Sequence, residues 1–509
     1  MAKLSSVSLE FAQKLRHLPE LLALQARSFP NQVLWRTHTR QLTTLQWHTS
    51  SLQFAAKLIR LGVQPGEPVG LRLAEGLDWP VALFGIWSAG AVALPLPITQ
   101  SITLASHFLA RAQVKRVVVA RHNHPLKATF QTIAFSRTHL RPGQKVTNQS
   151  KHSVATRLES IGPHSIALLA PTSGTTGAPK LALLSHNNLL RSATARAELV
   201  RHQPFDRVLS WLPLSHLYAL NADLIKGLLA RVEAVRLPGP KGILRALRHW
   251  SPTHFQAVPR LYEKVWHLIA TQENQLTSLK SILGGRLRWA GCGGAPLPDW
   301  LAQNYARLGL PILEGYGLTE ASPLVTMNTP EACKPATAGR VVPGMRVQIN
   351  ADGEILVAGA GVMPGYHNDA KATAATLRDG WLHTGDIGQM DGDFLRVTGR
   401  KSDTILLSTG RKVMPAKVES ALLALPWVEN ALVFGEGQAR VAALIQPKAN
   451  STPNWVPHKL PGLEDHEQPA RLVSLPRPLS LALGEITPLG KMNRGIILRN
   501  LKPEHFKEA

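Results

Sequence analysis

Residues 172–180 read Thr-Ser-Gly-Thr-Thr-Gly-Ala-Pro-Lys and place two glycines, four hydroxyls and one lysine in nine positions. Glycine lets backbone N–H groups approach an anion closely, hydroxyls add donors, and a lysine adds compact positive charge. Thr172, Ser173, Gly174, Thr175, Thr176, Gly177 and Lys180 are therefore candidate contacts to a polyphosphate. The run is not a Walker A loop, because its glycine spacing is too short and no Gly-Lys-Ser/Thr follows. A surface turn of small polar residues has the same composition, so other segments must decide between the two.

The elements around the loop give it a position. Ile166–Ala170 reads as a strand feeding directly into it, with a helix beginning near 186–188. Open α/β sheets bind ligands at the carboxyl ends of their strands. Residues 7–28 and the latter part of 41–62 read as helices. Segments 68–73, 91–96 and 116–120 read as short buried strands, with a helix at 77–89. Further strands are predicted at 207–214 and 254–258, each followed by a helix (217–230, 260–272). Residues 140–160 are polar and weakly patterned and read as a loop. From 338 onward short strands alternate with glycine-rich turns, and after Gly399-Arg400 the texture changes again: a strand at 404–407, a helix at 415–425 and a strand at 430–434. The fold class is α/β. Residues 1–398 form a large domain of parallel α/β sheets with a small β subdomain, and 399–509 a small α+β domain.

At 509 residues with 44% apolar content, the chain suits more than one globular core. The apolar stretch 80–97 is broken by Pro95 and Pro97 and reads as a buried helix running into a strand, not a membrane span. The N-terminus lacks a signal core, which points to the cytoplasm. Cys292 and Cys333 cannot build a disulfide framework or a four-ligand zinc site, and HExxH, CxxC and GxSxG are all absent. Lysine and arginine number 57 against 33 acids, and no acid lies between Asp78 and Glu159. Such a surface attracts polyanions. Nucleic acid, an anionic membrane face, an acidic carrier protein, and a composition bias with no partner are all compatible with it.

Further segments join the loop: Glu314-Gly315-Tyr316-Gly317-Leu318-Thr319-Glu320, Trp381-Leu382-His383-Thr384-Gly385-Asp386, Gly399-Arg400-Lys401-Ser402-Asp403 and Pro488-Leu489-Gly490-Lys491-Met492-Asn493-Arg494. In this order the chain, from about residue 35 to its end, resembles the adenylate-forming (AMP-binding) superfamily. The segments 211–216 (WLPLSH) and 257–265 (AVPRLYEKV) resemble its long-chain fatty acyl-CoA synthetase branch. The resemblance implies ATP, Mg²⁺ and coenzyme A. A carboxylate attacks the α-phosphorus of ATP, pyrophosphate leaves, and a thiol then takes the acyl group from the adenylate. It also implies site roles. Thr172–Lys180 would cradle the β- and γ-phosphates, Thr319 would bond the α-phosphate, and Glu320 would help hold Mg²⁺. Tyr316 would lie on adenine, within the 314–317 motif of Glu314, Gly315 and Gly317, opposite a wall of Gly293, Gly294 and Ala295. Asp386, assisted by Arg400, would accept from the ribose. Lys491 would reach the reacting oxygens from a mobile C-terminal domain. His216 would border the acyl tunnel, although a structural histidine fits that position equally.

Residues 211–221 offer no acid to pair with a substrate ammonium, the next being Asp223, so an apolar acid is the expected substrate. The resemblance favours coenzyme A as acceptor. The basic stretch raises acyl carrier protein as an alternative, along with peripheral membrane contact, and no specific nucleic acid is expected. A non-catalytic polyanion-binding protein on a relic scaffold is the reading from another class. Leu181 replaces the glycine that usually follows the loop lysine, Ser402 stands at the usual Lys or Asp hinge position, and the part after Gly399 is short for the long-chain branch.

Overall fold

The computed structural model describes residues 14–121, 124–135, 148–172, 180–203, 205–448, 451–455, 459–480, 483–486 and 492–501. Ser173 to Pro179 and Lys491 lie outside them.

The apolar stretch divides as its prolines and glycines dictate. It forms the helix Asp78–Ser88, buried from Trp79 onward, and the fully buried strand Val92–Pro95. A buried indole favours a partner for its N–H, and two have one here: Trp47 donates to Pro80 O at 3.1 Å, and Trp87 to Ala167 O at 2.8 Å. Among the described residues no helix is long and apolar enough to cross a membrane.

Two sheets organise residues up to 400. The first has the order Gly365–Tyr366, Lys180–Ser185, Ile166–Thr172, Val92–Pro95, Pro68–Arg72, Arg116–Val119, Gln131–Ala134. It is parallel from Ile166–Thr172 onward, and the other end is antiparallel. The second sheet runs parallel through Val33–Arg36, Glu233–Arg236, Arg207–Ser210, His254–Ala257, Trp289–Cys292 and Ile312–Tyr316. At Ile312–Tyr316 it turns antiparallel and continues through Thr326–Met327, Arg340–Val341, Phe394–Arg400 and Trp381–Asp391. The β region expected after 338 is thus a continuation of the large sheet. One apolar core, with Trp35, Trp47, Trp79 and Trp87 fully buried, joins the two sheets.

The C-terminal part builds separate cores around Val428–Phe434, Ala442–Pro447 and Leu472–Ser474. Residues 399–400 finish the strand Phe394–Arg400, and Lys401–Asp403 form a 3-10 turn.

Several local expectations need correction. Residues 148–160 of the expected loop form the helix Asn148–Ser160, docked through Val154 and Leu158. A strand, Lys180–Ser185, intervenes between the glycine-rich run and the helix His186–Leu199. The helix expected over 217–230 is interrupted by a π-helical turn, Leu220–Ile225.

Candidate active site

Thr172 and Lys180 face each other as the last ladder pair of an antiparallel hairpin. The ladder therefore fixes both ends of the glycine-rich run, whose residues Ser173, Gly174, Thr175, Thr176 and Gly177 lie outside the described residues. Leu181 is fully buried in the apolar cluster beneath this hairpin, and its carbonyl accepts from His367 N at 2.8 Å. The departure from glycine anchors the strand that leaves the loop.

The edge strand Gly365–Tyr366 pairs with Lys180–Ser185, which lays the Tyr366 ring under Lys180, Nζ 4.9 Å from its centre. The Tyr366 hydroxyl donates to Glu320 Oε1 at 2.8 Å, and Met363 N donates to Glu320 O at 2.9 Å. Lys180, Tyr366 and Glu320 thus form one contiguous cluster. Burial, and then the charge of Glu320, push the Tyr366 hydroxyl pKa above its usual range, so it stays a donor. Glu320 and the half-buried Thr319 begin a 3-10 turn that ends at Ser322, a non-glycine residue at φ +63° whose O accepts from Asn221 Nδ2 at 3.4 Å. That left-handed conformation is costly for serine and is held by the surrounding core.

A second cluster forms where the sheet turns antiparallel. Asp386 and Arg400 are ladder partners, and Arg400 Nε donates to Asp386 Oδ1 at 2.7 Å. The Tyr316 hydroxyl donates to Asp386 Oδ2 at 2.8 Å. Asp386 is buried, and its own N–H donates to Thr384 Oγ1 at 3.0 Å. Burial opposes charge on Arg400, but the Asp386 carboxylate outweighs it and holds the guanidinium more firmly protonated than usual. Such a carboxylate, oriented from both sides, is suited to accepting from a diol.

Close approach explains the glycines here. A Cβ on Gly317 would lie 1.8 Å from Pro323 O. One on Gly293 would lie 3.3 Å from the Tyr218 ring, whose hydroxyl donates to Gln256 Oε1 at 2.8 Å. Gly293 is buried, Gly294 is exposed and Ala295 is half-buried. Glu314 supports this wall from behind: its Oε1 accepts from Leu297 N at 3.1 Å, and burial pushes its carboxyl pKa up to about 8. Burial likewise raises the Cys292 thiol, an inert small side chain in the strand Trp289–Cys292.

His216 is exposed, next to Leu217–Ala219. The loop before it is pinned by Glu75, which accepts from Leu214 N at 2.7 Å and from Ser215 N at 3.0 Å. Ser402 is exposed and donates to Asp403 Oδ1 at 3.2 Å. On either side of Lys491, Ile486 and Met492 form a β-bridge, and Arg477 grips Glu485 through both oxygens at 2.6 and 2.7 Å. Tyr366 and Thr384 were missed by sequence reasoning. Tyr366 carried one signal, scarcity, since the chain has only five tyrosines.

The AMP-binding enzyme description matches residues 22–367, and that of the AMP-binding enzyme C-terminal domain matches 402–458. The chain belongs to the AMP-binding enzyme family. This AMP-binding enzyme is 31% identical over 460 residues to the long-chain-fatty-acid–CoA ligase FadD15 of Mycobacterium bovis, covering 79% of this chain and 76% of that one. It is also 31% identical over 430 residues to a feruloyl-CoA synthase of Amycolatopsis, covering 81% and 84%. Among solved structures, the O-succinylbenzoate coenzyme A synthetase of Bacillus subtilis in complex with AMP has the same fold. The TM-score is 0.76 at 23% identity, over 94% of this chain and 97% of that one. The reaction class is acid–CoA ligation through an adenylate, and the cofactors are ATP, Mg²⁺ and coenzyme A. The residues present fit those groups. Asp386 offers a fixed acceptor, and Glu320 offers a carboxylate beside Lys180 and Tyr366.

Proposed function

We propose that this AMP-binding enzyme activates a long-chain fatty acid and transfers the acyl group to coenzyme A. The observation that carries the choice of an apolar acid is the state of Asp223. It is buried, with its carboxyl pKa raised by that burial, and its charge is answered internally by Lys226, Arg236 and Arg196. It offers nothing to a substrate ammonium. The segment before it supplies Trp211, Leu212, Leu214, Leu217 and Leu220, all buried and apolar.

In the proposed mechanism Asp386 accepts from the ribose hydroxyls, and Arg400 keeps its carboxylate oriented. Tyr316 packs on adenine against Gly293, Gly294 and Ala295. Thr319 donates to the α-phosphate, and Thr172–Lys180 surrounds the outer phosphates. Glu320 would hold Mg²⁺, which when bound neutralises phosphate charge. The substrate carboxylate oxygen bonds to the α-phosphorus as the bond to pyrophosphate breaks. Lys491, which in sequence precedes Met492 of the Ile486–Met492 bridge, steadies the charge between them. The small domain, beginning at about residue 399, then turns and lets the thiol reach the acyl carbon, releasing AMP and a proton. His216 borders the acyl entrance.

Incubation of purified protein with palmitate, ATP, Mg²⁺ and either coenzyme A or acyl carrier protein tests this reading. Palmitoyl-CoA formation supports it, and Lys491→Ala is expected to abolish pyrophosphate release while ATP still binds. Unchanged ATP–pyrophosphate exchange in that variant removes Lys491 from its role. Acyl carrier protein is the second acceptor worth assaying, because Lys115, Arg121 and Lys127 of the acid-free stretch are exposed. Others there are already neutralised, Arg111 by Asp369 and Arg116 by Glu67. Product on the carrier protein alone would overturn the choice of coenzyme A.

A further inference from the structure

A different chemistry is assembled at the opposite ends of the same parallel strands. His202 and Asp206 lie on the segment entering Arg207–Ser210, and His254 opens the neighbouring strand in register with Val208. One ligand atom from each residue falls within 4.8 Å of the others. His202 Nδ1 lies 3.5 Å and His254 Nε2 3.4 Å from Asp206 Oδ2. The three side chains are only 8%, 0% and 3% exposed for His202, His254 and Asp206 respectively.

Hydrogen bonding does not account for this arrangement. The Thr253 hydroxyl donates to Arg207 O at 3.2 Å and accepts from Arg207 N at 2.9 Å, and its remaining lone pair faces His254 Nδ1 at 3.5 Å. A ring proton on Nδ1 would face that lone pair and leave Nε2 free to bind a cation. His254 Nε2 has no hydrogen-bond partner, and neither does either ring nitrogen of His202. The Asp206 carboxylate accepts from Gln203 N at 2.7 Å and from Arg288 Nη1 at 2.8 and 3.0 Å, which fixes its orientation. Two imidazole nitrogens therefore converge on Asp206 Oδ2, at 3.5 and 3.4 Å, without a well-formed hydrogen bond. Around a metal with bonds of about 2.1 Å, ligand atoms in a tetrahedron stand roughly 3.4 Å apart. The two measured edges match that spacing.

We propose that His202, Asp206 and His254 form a binding site for a first-row transition-metal dication, best matched by Zn²⁺. Two imidazoles and one carboxylate suit zinc and disfavour Mg²⁺ or Ca²⁺, which take oxygen ligands. Burial keeps both histidines neutral at pH 7, at about 4 for His202 and about 2 for His254, as ligands must be. Two cations compete with the ion. Arg288 holds the carboxylate from outside, as a second-shell partner would. Lys226 is fully buried, with its Nζ 5.5 Å from the centre of the Trp289 ring, and its charge is shared with Asp223. The ion would staple the starts of two adjacent strands, far along the sheet from the nucleotide site, and does not depend on the proposed reaction.

Full-length protein stripped with a chelator and titrated with Co²⁺ tests the proposal. One equivalent is expected to give the strong visible absorption of tetrahedral cobalt, displaced by Zn²⁺. His202→Gln and His254→Gln are each expected to weaken binding by more than roughly 100-fold, the upper end for losing even an outer-shell partner. Zinc is expected to raise the melting temperature of the wild type and not that of His202→Gln. A wild-type spectrum showing only octahedral cobalt overturns the site without recourse to any variant. A tetrahedral spectrum retained in both variants also overturns it, by assigning the ion to others of the 20 histidines.

Discussion

Replacing Tyr366 by Phe removes one hydroxyl and keeps the ring under Lys180, so it isolates the bond to Glu320. A hydrogen bond to a charged group is worth about 1.5–3 kcal/mol. Tyr366→Phe is therefore expected to raise the Mg²⁺ concentration needed for half-maximal pyrophosphate release about tenfold, with a smaller change in kcat. An unaltered Mg²⁺ profile would show that Glu320 needs no such support. Glu314 gives a test in pH. Its folded pKa, raised by burial to about 8, exceeds its unfolded value near 4.5. The folded state thus keeps a proton that the unfolded state sheds, and stability falls as pH climbs from about 4.5 to 8. Glu314→Gln, which keeps the acceptor for Leu297, is expected to raise the melting temperature at pH 8 and leave it nearly unchanged at pH 4.5. A gain equal at both values would refute a protonated Glu314. Asp386, Arg400 and Tyr316 were singled out through the family resemblance, and the fold hydrogen-bonds the three together. Tyr366 was not legible, because its role arises from a strand pairing with Ala182, far away in sequence.

Turns and short elements carry the next set of constraints. Gly317 packs against Pro323 O so closely that Gly317→Ala must displace the backbone between Tyr316 and Thr319. Overpacking of this kind costs about 1–3 kcal/mol. The variant is expected to melt lower and to lose at least tenfold in ATP–pyrophosphate exchange; wild-type exchange would mean the turn relaxes freely. The helix Asn148–Ser160 escaped the sequence because its apolar stripe is only Val154 and Leu158, one turn apart. The strand Lys180–Ser185 escaped for a different reason. Its alternation is hidden by burial on both faces at Leu181, Ala182 and Leu184, which reads as an undirected apolar run. The buried helix and strand at 78–95 were legible because Gly90 and the prolines punctuate an otherwise charge-free stretch.

Taken whole, the chain keeps its C-terminal core apart from the larger one. Between them, the ion pair Arg260–Glu429 at 2.5 Å and the Lys448–His267 contact at 3.0 Å are both exposed. Exposed pairs contribute about 1 kcal/mol or less, which suits the domain turn proposed for the catalytic cycle. The net charge of +24 acts at the same scale. Flotation with anionic vesicles is expected in low salt and to fade as ionic strength shortens the Debye length to about 3 Å at 1 M. Flotation indifferent to salt would exclude an electrostatic contact. The charge was legible from composition, whereas its partial neutralisation by Asp369 and Glu67 required the folded chain.

The passage of one sheet from parallel to antiparallel at Ile312–Tyr316 has a kinetic corollary. Tyr316 and Asp386 belong to a continuous sheet and share a hydrogen bond, so the contacts proposed for base and sugar cannot fray independently. Amide protons on both strands should exchange with deuterium at a common, slow rate set by one cooperative opening.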